Sequence, residues 1–189
     1  MLPGMRTDEE HAADAAPNGT LDDIIAIIES AKARDGRSTL EKHITKALPE
    51  ADEAEVREAA DVAIEVIESI PVFLARARLE SEERGLESIV DPLLDRAQRY
   101  YLQPLDLIPE MTQGLVGLLD DSYLVIRTLQ NLDKGPHPFL DWDLDYPVRF
   151  LRRLIGAPIA QRLDKIALQA LAEVSERLEE VWKRSAHRA

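Results

Sequence analysis

Cysteine is absent from all 189 residues, which excludes disulfides, thiolate nucleophiles and zinc held by sulfur. Histidine is scarce. His11, His43, His137 and His187 are scattered with no ligand-spaced pair, so each reads as a surface residue rather than a ligand. Positive charge is in deficit, with 23 Lys and Arg against 36 Asp and Glu and a formal net charge of -13. Phosphate binding is driven by an excess of cations, so this balance excludes a general nucleic-acid binder. Long apolar runs are missing too. The best candidate for a membrane span, Met111 to Leu132, carries Asp120, Asp121 and Ser122 in its middle and Arg127 beyond. Each charge there would cost roughly 2.5–3.5 kcal/mol on insertion. The first residues, MLPGMRTDEEHAADAAPNG, lack the apolar core that follows the basic start of a signal peptide.

What is present is helical pattern. With 45% hydrophobic and 31% charged residues, the chain suits one soluble domain with a substantial core over residues 20–189, behind an acidic tail at 1–19 that reads as disordered. Thr20 is a candidate N-cap with Asp23 three residues on, and the helix it opens is expected to stop at Gly36. Ser38 and Glu41 suggest a capping box for a second helix, which ends before Pro49. Val56, Ala59, Ala60, Ala63, Ile64, Ile67 and Ile70 form a stripe at spacings of three and four. Pro71 is placed to open a further helix that ends near Gly85. Amphipathic helices are then expected over 86–102, with Pro92 early in it, and over 114–132, with the Pro-rich turn PLDLIPE between them.

Residues 133–147 contain three prolines and a glycine, and no helix is expected there. Leu140, Trp142, Leu144 and Tyr146 alternate with Asp141, Asp143 and Asp145, a period of two that predicts an extended strap with its apolar side on the helices. A lone strand has no sheet to join, so none is expected. Beyond Pro147, residues 148–184 read as a short basic helix and a long one over about 157–184, which would span roughly 40 Å. The fold class is all-α: a multi-helix bundle with a Pro-rich helical hairpin at its centre.

The hairpin carries the one distinctive motif. Residues 100–132 read YYLQPLDLIPEMTQGLVGLLDDSYLVIRTLQNL. This resembles the signature of the YkvA-like family, a domain of unknown function found mainly in bacteria, in which a Tyr precedes P-x-D-L-I-P-D and then a Gly, two residues and an Asp pair. Tyr101, Pro104, Asp106, Leu107, Ile108, Pro109, Gly117, Asp120 and Asp121 match. Glu110 stands where Asp is usual, Gln113 where a second Pro is common, and the spacing to the Asp pair is one residue longer. The resemblance implies a helical hairpin, frequent membrane association and no catalytic activity common to the family.

Two readings of those residues compete. In the first they are structural: Asp106 caps the following turn, Pro104 and Pro109 stiffen it, and Gly117 permits close approach. Asp120 and Asp121 lie about 100° apart on a helix, so only one can turn back toward the loop. In the second reading Asp106, Glu110, Asp120 and Asp121 form a carboxylate cluster for Mg²⁺ or Ca²⁺, as the centre of a metal-dependent enzyme. The first is preferred, with no catalytic residue, no metal and no cofactor expected. The D-x-D-x-D of Asp141, Asp143 and Asp145 fails as a calcium loop, because its sixth position is Tyr146 and its twelfth Arg152.

Charge is distributed unevenly. From Pro147 onward nine Lys and Arg face five Asp and Glu, whereas the first 146 residues hold 14 basic and 31 acidic ones. Arg149, Arg152 and Arg153 accompany Phe150, Leu151, Leu154 and Ile155. Such a helix can lie on an anionic membrane surface, or its arginines can pair with acidic helices of the same chain, such as 51–69. The function expected from sequence is thus a non-enzymatic helical module acting through protein–protein contacts or self-association. Its expected place is the cytoplasm, peripheral to the membrane face, with at most weak contact with anionic lipid.

Overall fold

The computed structural model describes residues 19–103, 114–133 and 139–173. Residues 1–18, 104–113, 134–138 and 174–189 fall outside them, and with them most of the expected acidic tail, the Pro-rich turn and the far part of the long helix expected over 157–184. Among the described residues there are six helices and no strand, and the chain is an all-α bundle.

The first helix, α1 (Leu21–Ala47), starts at the expected cap. The Asp23 N–H donates to the Thr20 hydroxyl at 3.3 Å, and the Asp23 carboxylate accepts the Thr20 N–H at 2.6 Å. The Thr20 N–H, and with it the Thr20 hydroxyl donating to the same oxygen at 2.9 Å, hold the Asp23 carboxyl below its usual range. The expected stop at Gly36 and restart at Ser38 do not occur: α1 runs unbroken through both. Tertiary contacts supply the reason. Arg37, one residue past the expected stop, donates to Glu41 at 2.6 Å and to the Arg57 carbonyl at 2.7 Å, and also pairs with Asp61. The buried stripe Ile24, Ile28, Ala31, Leu40 and Ile44 continues across the glycine.

After a turn containing Pro49, α2 (Glu53–Arg84) opens on a second capping box, with Asp52 accepting from Ala54 and Glu55 while Glu55 accepts the Asp52 N–H. Its buried residues Val56, Ala60, Ala63, Ile67, Ile70, Leu74, Ala77 and Ser81 alternate spacings of four and three, the repeat of a coiled-coil seam. Pro71 lies inside this helix rather than at the head of a new one. An interior proline costs about 3 kcal/mol. Burying Ile70 and Leu74 on either side contributes roughly 1.5–3 kcal/mol each, enough to keep the seam continuous. The helix ends as expected at Gly85, whose φ of 64° permits the paired closing bonds Gly85 N–H to Glu82 and Leu86 N–H to Ser81. Lys32 to Glu68, at 2.7 Å, and Arg37 to Asp61 tie α1 and α2 into an antiparallel pair.

The next two helices, α3 (Glu87–Leu102, with Pro92 inside) and α4 (Leu118–Leu132), flank the undescribed Pro-rich turn. All but Arg127 and Gln130 of the fifteen residues in α4 are buried. The bundle is arranged around it: α4 packs on α2, α3, α5 (Asp145–Ile155) and α6 (Ala157–Glu173). The strap before α5 is partly as expected. Leu140 and Leu144 are buried, and Trp142 packs on Phe73 with ring centroids 4.9 Å apart, while Asp141 and Asp143 face solvent. Helix begins at Asp145, however, two residues before Pro147, so Tyr146 leaves the alternation and is exposed. Proline in a first turn forfeits no helical bond, which is why Pro147 is accommodated there. Asp133 holds the strap by accepting the Phe139 and Leu140 N–H groups, each at 2.7 Å. One hydrophobic cluster draws on all six helices, and among the described residues no helix is long and apolar enough to cross a membrane.

Because Gly36 is interior to α1, Gly36→Ala is expected to stabilise the protein by roughly 0.5–1 kcal/mol in urea denaturation. A loss of similar size would instead place a left-handed helix end there.

Candidate functional site

Of the residues singled out by the hairpin motif, Pro104, Asp106, Leu107, Ile108, Pro109 and Glu110 lie outside the described residues. The others are inside the bundle. Tyr101 on α3 is 1% exposed, and Asp120 and Asp121 are both buried in the first turn of α4, although they project about 100° apart. A helix enclosed on every side buries both, whichever way each points. Burial pushes the Tyr101 hydroxyl well above the usual tyrosine range. The Asp121 charge acts in the same sense, and the neighbouring Ser122 hydroxyl acts against it. Tyr101 is therefore protonated at neutral pH, not a phenolate. Gly117 is the N-cap of α4 with φ of -66°, a value open to any residue; the left-handed glycine of this stretch is Gly114, at 69°. Among the described residues, no three His, Asp or Glu side chains are grouped to hold a metal ion.

The three arginines of the basic helix have separate fates. Arg152 is drawn inward to Asp164 of α6, at 2.7 Å, across the break at Gly156. The same carboxylate accepts from the Tyr123 hydroxyl at 2.8 Å and from Arg127 Nε at 3.0 Å, and Arg152 also reaches the Tyr123 hydroxyl at 3.1 Å. Asp164 thus joins α4, α5 and α6. Burial alone would raise its pKa. The bonds from Arg152 and Tyr123 and the charges of Arg127 and Arg152 outweigh that and hold the carboxyl below its usual range. Sequence reasoning missed this node. Its readable signal was Tyr123 and Arg127, four apart and therefore on one face of the helix.

Arg149 is 69% exposed, with Asp145 only at 4.0 Å. Arg153 is exposed and has no ion pair among the described residues. It completes one face of α5 with Tyr146 and Phe150, at spacings of four and three, and the two rings stack with centroids 6.2 Å apart and planes 9° apart. That face looks onto the corner where α1 turns into α2, and the two enclose an open groove of about 590 Å³. Leu48, Pro49, Ala51 and Val62 supply its apolar floor, and Glu50, Glu55 and Glu58 supply carboxylates along one side. His43 fixes the opening: its Nε2 lies 2.8 Å from the Leu154 carbonyl, anchoring α5 to α1. The histidine expected at the surface is a half-buried bridge between helices. The groove was invisible in sequence, because its walls lie about ninety residues apart in the chain.

No protein-family model, curated protein or solved structure matches this chain.

The carboxylate at the three-helix node predicts an acid-sensitive contribution to stability. With its folded-state pKa lowered, Asp164 stabilises the fold above its unfolded pKa of about 4, and that contribution disappears as pH falls through the folded value. Asp164→Asn should lose about 2 kcal/mol at pH 7, with the gap from wild type narrowing below about pH 4 in urea titrations. A gap independent of pH would show that the carboxylate charge is not what the node depends on.

Proposed function

We propose that this chain is a non-enzymatic helical module of the cytoplasm that acts by docking another protein in the groove beside α5. One observation carries the reading: two stacked aromatic rings, one of them 53% exposed, stand over an apolar floor in a pre-formed opening. Exposed aromatics beside a concave apolar surface are the usual anchors of protein interfaces, and helix ends fixed by Pro49 and His43 leave little ordering cost on binding. The likeness of Tyr100–Leu132 to the YkvA-like signature belongs to the same proposal, since that family has no common catalytic activity. The alternative of a metal-dependent enzyme needs Asp106 and Glu110, which lie outside the described residues.

A second reading, peripheral attachment to an anionic membrane, has support in Arg149, Arg153 and the exposed ring of Tyr146 on one helix. It is the weaker of the two. Arg152 is committed to Asp164, and two arginines near an anionic leaflet contribute only about 2 kcal/mol.

Benzoylphenylalanine incorporated in place of Tyr146 and irradiated in cells expressing the full chain should give discrete protein adducts. The same probe in place of Glu82, on the far end of α2, should not. Equal labelling at both positions, or none at 146, would sink the docking reading. Flotation with phosphatidylserine vesicles that is lost in Arg149→Glu/Arg153→Glu would put the membrane reading in its place.

A further inference from the structure

We infer that the groove accepts a basic amphipathic segment of a partner protein, its apolar side on the aromatic wall and its Lys or Arg side chains toward the α1–α2 corner. This rests on the docking reading above and adds the chemistry of the occupant. The two walls of the groove differ in kind. On the α5 side Tyr146 and Phe150 offer apolar area, and Arg153 is the one cation among the lining residues. On the corner side stand Glu50, Glu55 and Glu58. Glu50 and Glu58 are exposed and have no ion pair or hydrogen bond among the described residues. Glu55 commits one oxygen to the Asp52 N–H at 2.8 Å and keeps the other free.

Backbone electrostatics act in the same sense. Helix α1 ends at Ala47, and Ala47 and Leu48 line the groove, so the negative end of its dipole lies at the opening. The positive end of α2 lies nearby, but Asp52, Glu53 and Glu55 in its cap and first turn offset it. The balance along this wall is therefore negative, within a chain of net charge -13. Such a wall attracts a cationic segment, whereas an acidic one meets three carboxylates at close range. The volume, about 590 Å³, fits a few large side chains rather than a folded domain. An amphipathic helix laid in a groove presents that shape, with anchors three and four apart.

The test uses the full chain and a fluorescein-labelled leucine–lysine helical peptide of about four turns, with an isohelical leucine–glutamate peptide as its counterpart. Binding is read by anisotropy, and its place by amide shifts in 15N spectra. The lysine peptide should bind with shifts confined to the groove residues and weaken about tenfold in Glu50→Lys/Glu58→Lys. Phe150→Ala should weaken it comparably. The same number of charge reversals at Glu82→Lys/Glu83→Lys, on the far end of α2, should leave it within about twofold, because exposed charges more than a Debye length away are screened. Equal weakening by both double variants would show attraction to overall charge and overturn the inference. Groove shifts with the glutamate peptide and none with the lysine peptide would overturn the basic occupant while the docking reading stands. No groove shift with either peptide overturns the inference, and if benzoylphenylalanine at position 146 also fails to crosslink, the docking reading falls with it.

Discussion

The bundle is organised by a helix with no solvent face. Nearly every side chain of α4 is buried, including Asp120, Asp121, Ser122, Thr128 and Asn131, so each neighbouring helix must fit a surface that is partly polar. Some of that polarity is satisfied locally, as where the Thr128 hydroxyl donates to the Leu124 carbonyl at 2.9 Å. Elsewhere both amide atoms of Asn131 are buried with no hydrogen-bond partner among the described residues, an arrangement that typically costs about 1–3 kcal/mol. Only Arg127 and Gln130 escape the interior, and both reach partners on the last two helices, Asp164 on α6 and Asp145 on α5. Where α5 and α6 can dock is thereby limited by two polar side chains one turn apart.

From that docking the candidate site follows. Asp164 draws Arg152 inward and sets the rotation of α5, with Leu151 and Leu154 on its buried side and Tyr146, Phe150 and Arg153 on the side facing the α1–α2 corner. His43 sets the distance from the other direction. A basic helix that could have served as a uniform cationic face is instead divided into an inward arginine, an exposed one and one at the edge of a groove. Fold stability and the shape of the binding surface thus share one ion-pair node. Loss of Asp164 would be felt in both.

Features that depend on a few neighbouring residues were legible in the sequence. The cap at Thr20, the stop at Gly85 and the stripe of α2 need only local hydrogen bonds, a left-handed glycine and a periodicity, and all three are present. The boundaries that moved share one cause. Gly36, Ser38 and Pro71 carry ordinary helix-boundary chemistry, but the buried stripes of α1 and α2 run on past each of them, and continuous packing outweighs a local cost of about 1–3 kcal/mol. The strap shows both effects: its alternation holds through Leu144 and fails at Tyr146, where helix begins earlier than Pro147 suggested.

The candidate site was less legible than the fold. Arginines 149, 152 and 153 were identifiable as a group, but nothing in their spacing separates the one that meets Asp164 from the two that do not. The groove joins residues 47–62 to 146–153, and no periodic pattern links segments so far apart. By itself the sequence determined the class, all-α, because cap chemistry and apolar period act over one or two turns of chain. Only the tertiary structure decided which helices run unbroken, which charges are neutralised inside and where an apolar opening remains. Those outcomes depend on the surface each helix offers the next, a property of the packed pair rather than of either segment.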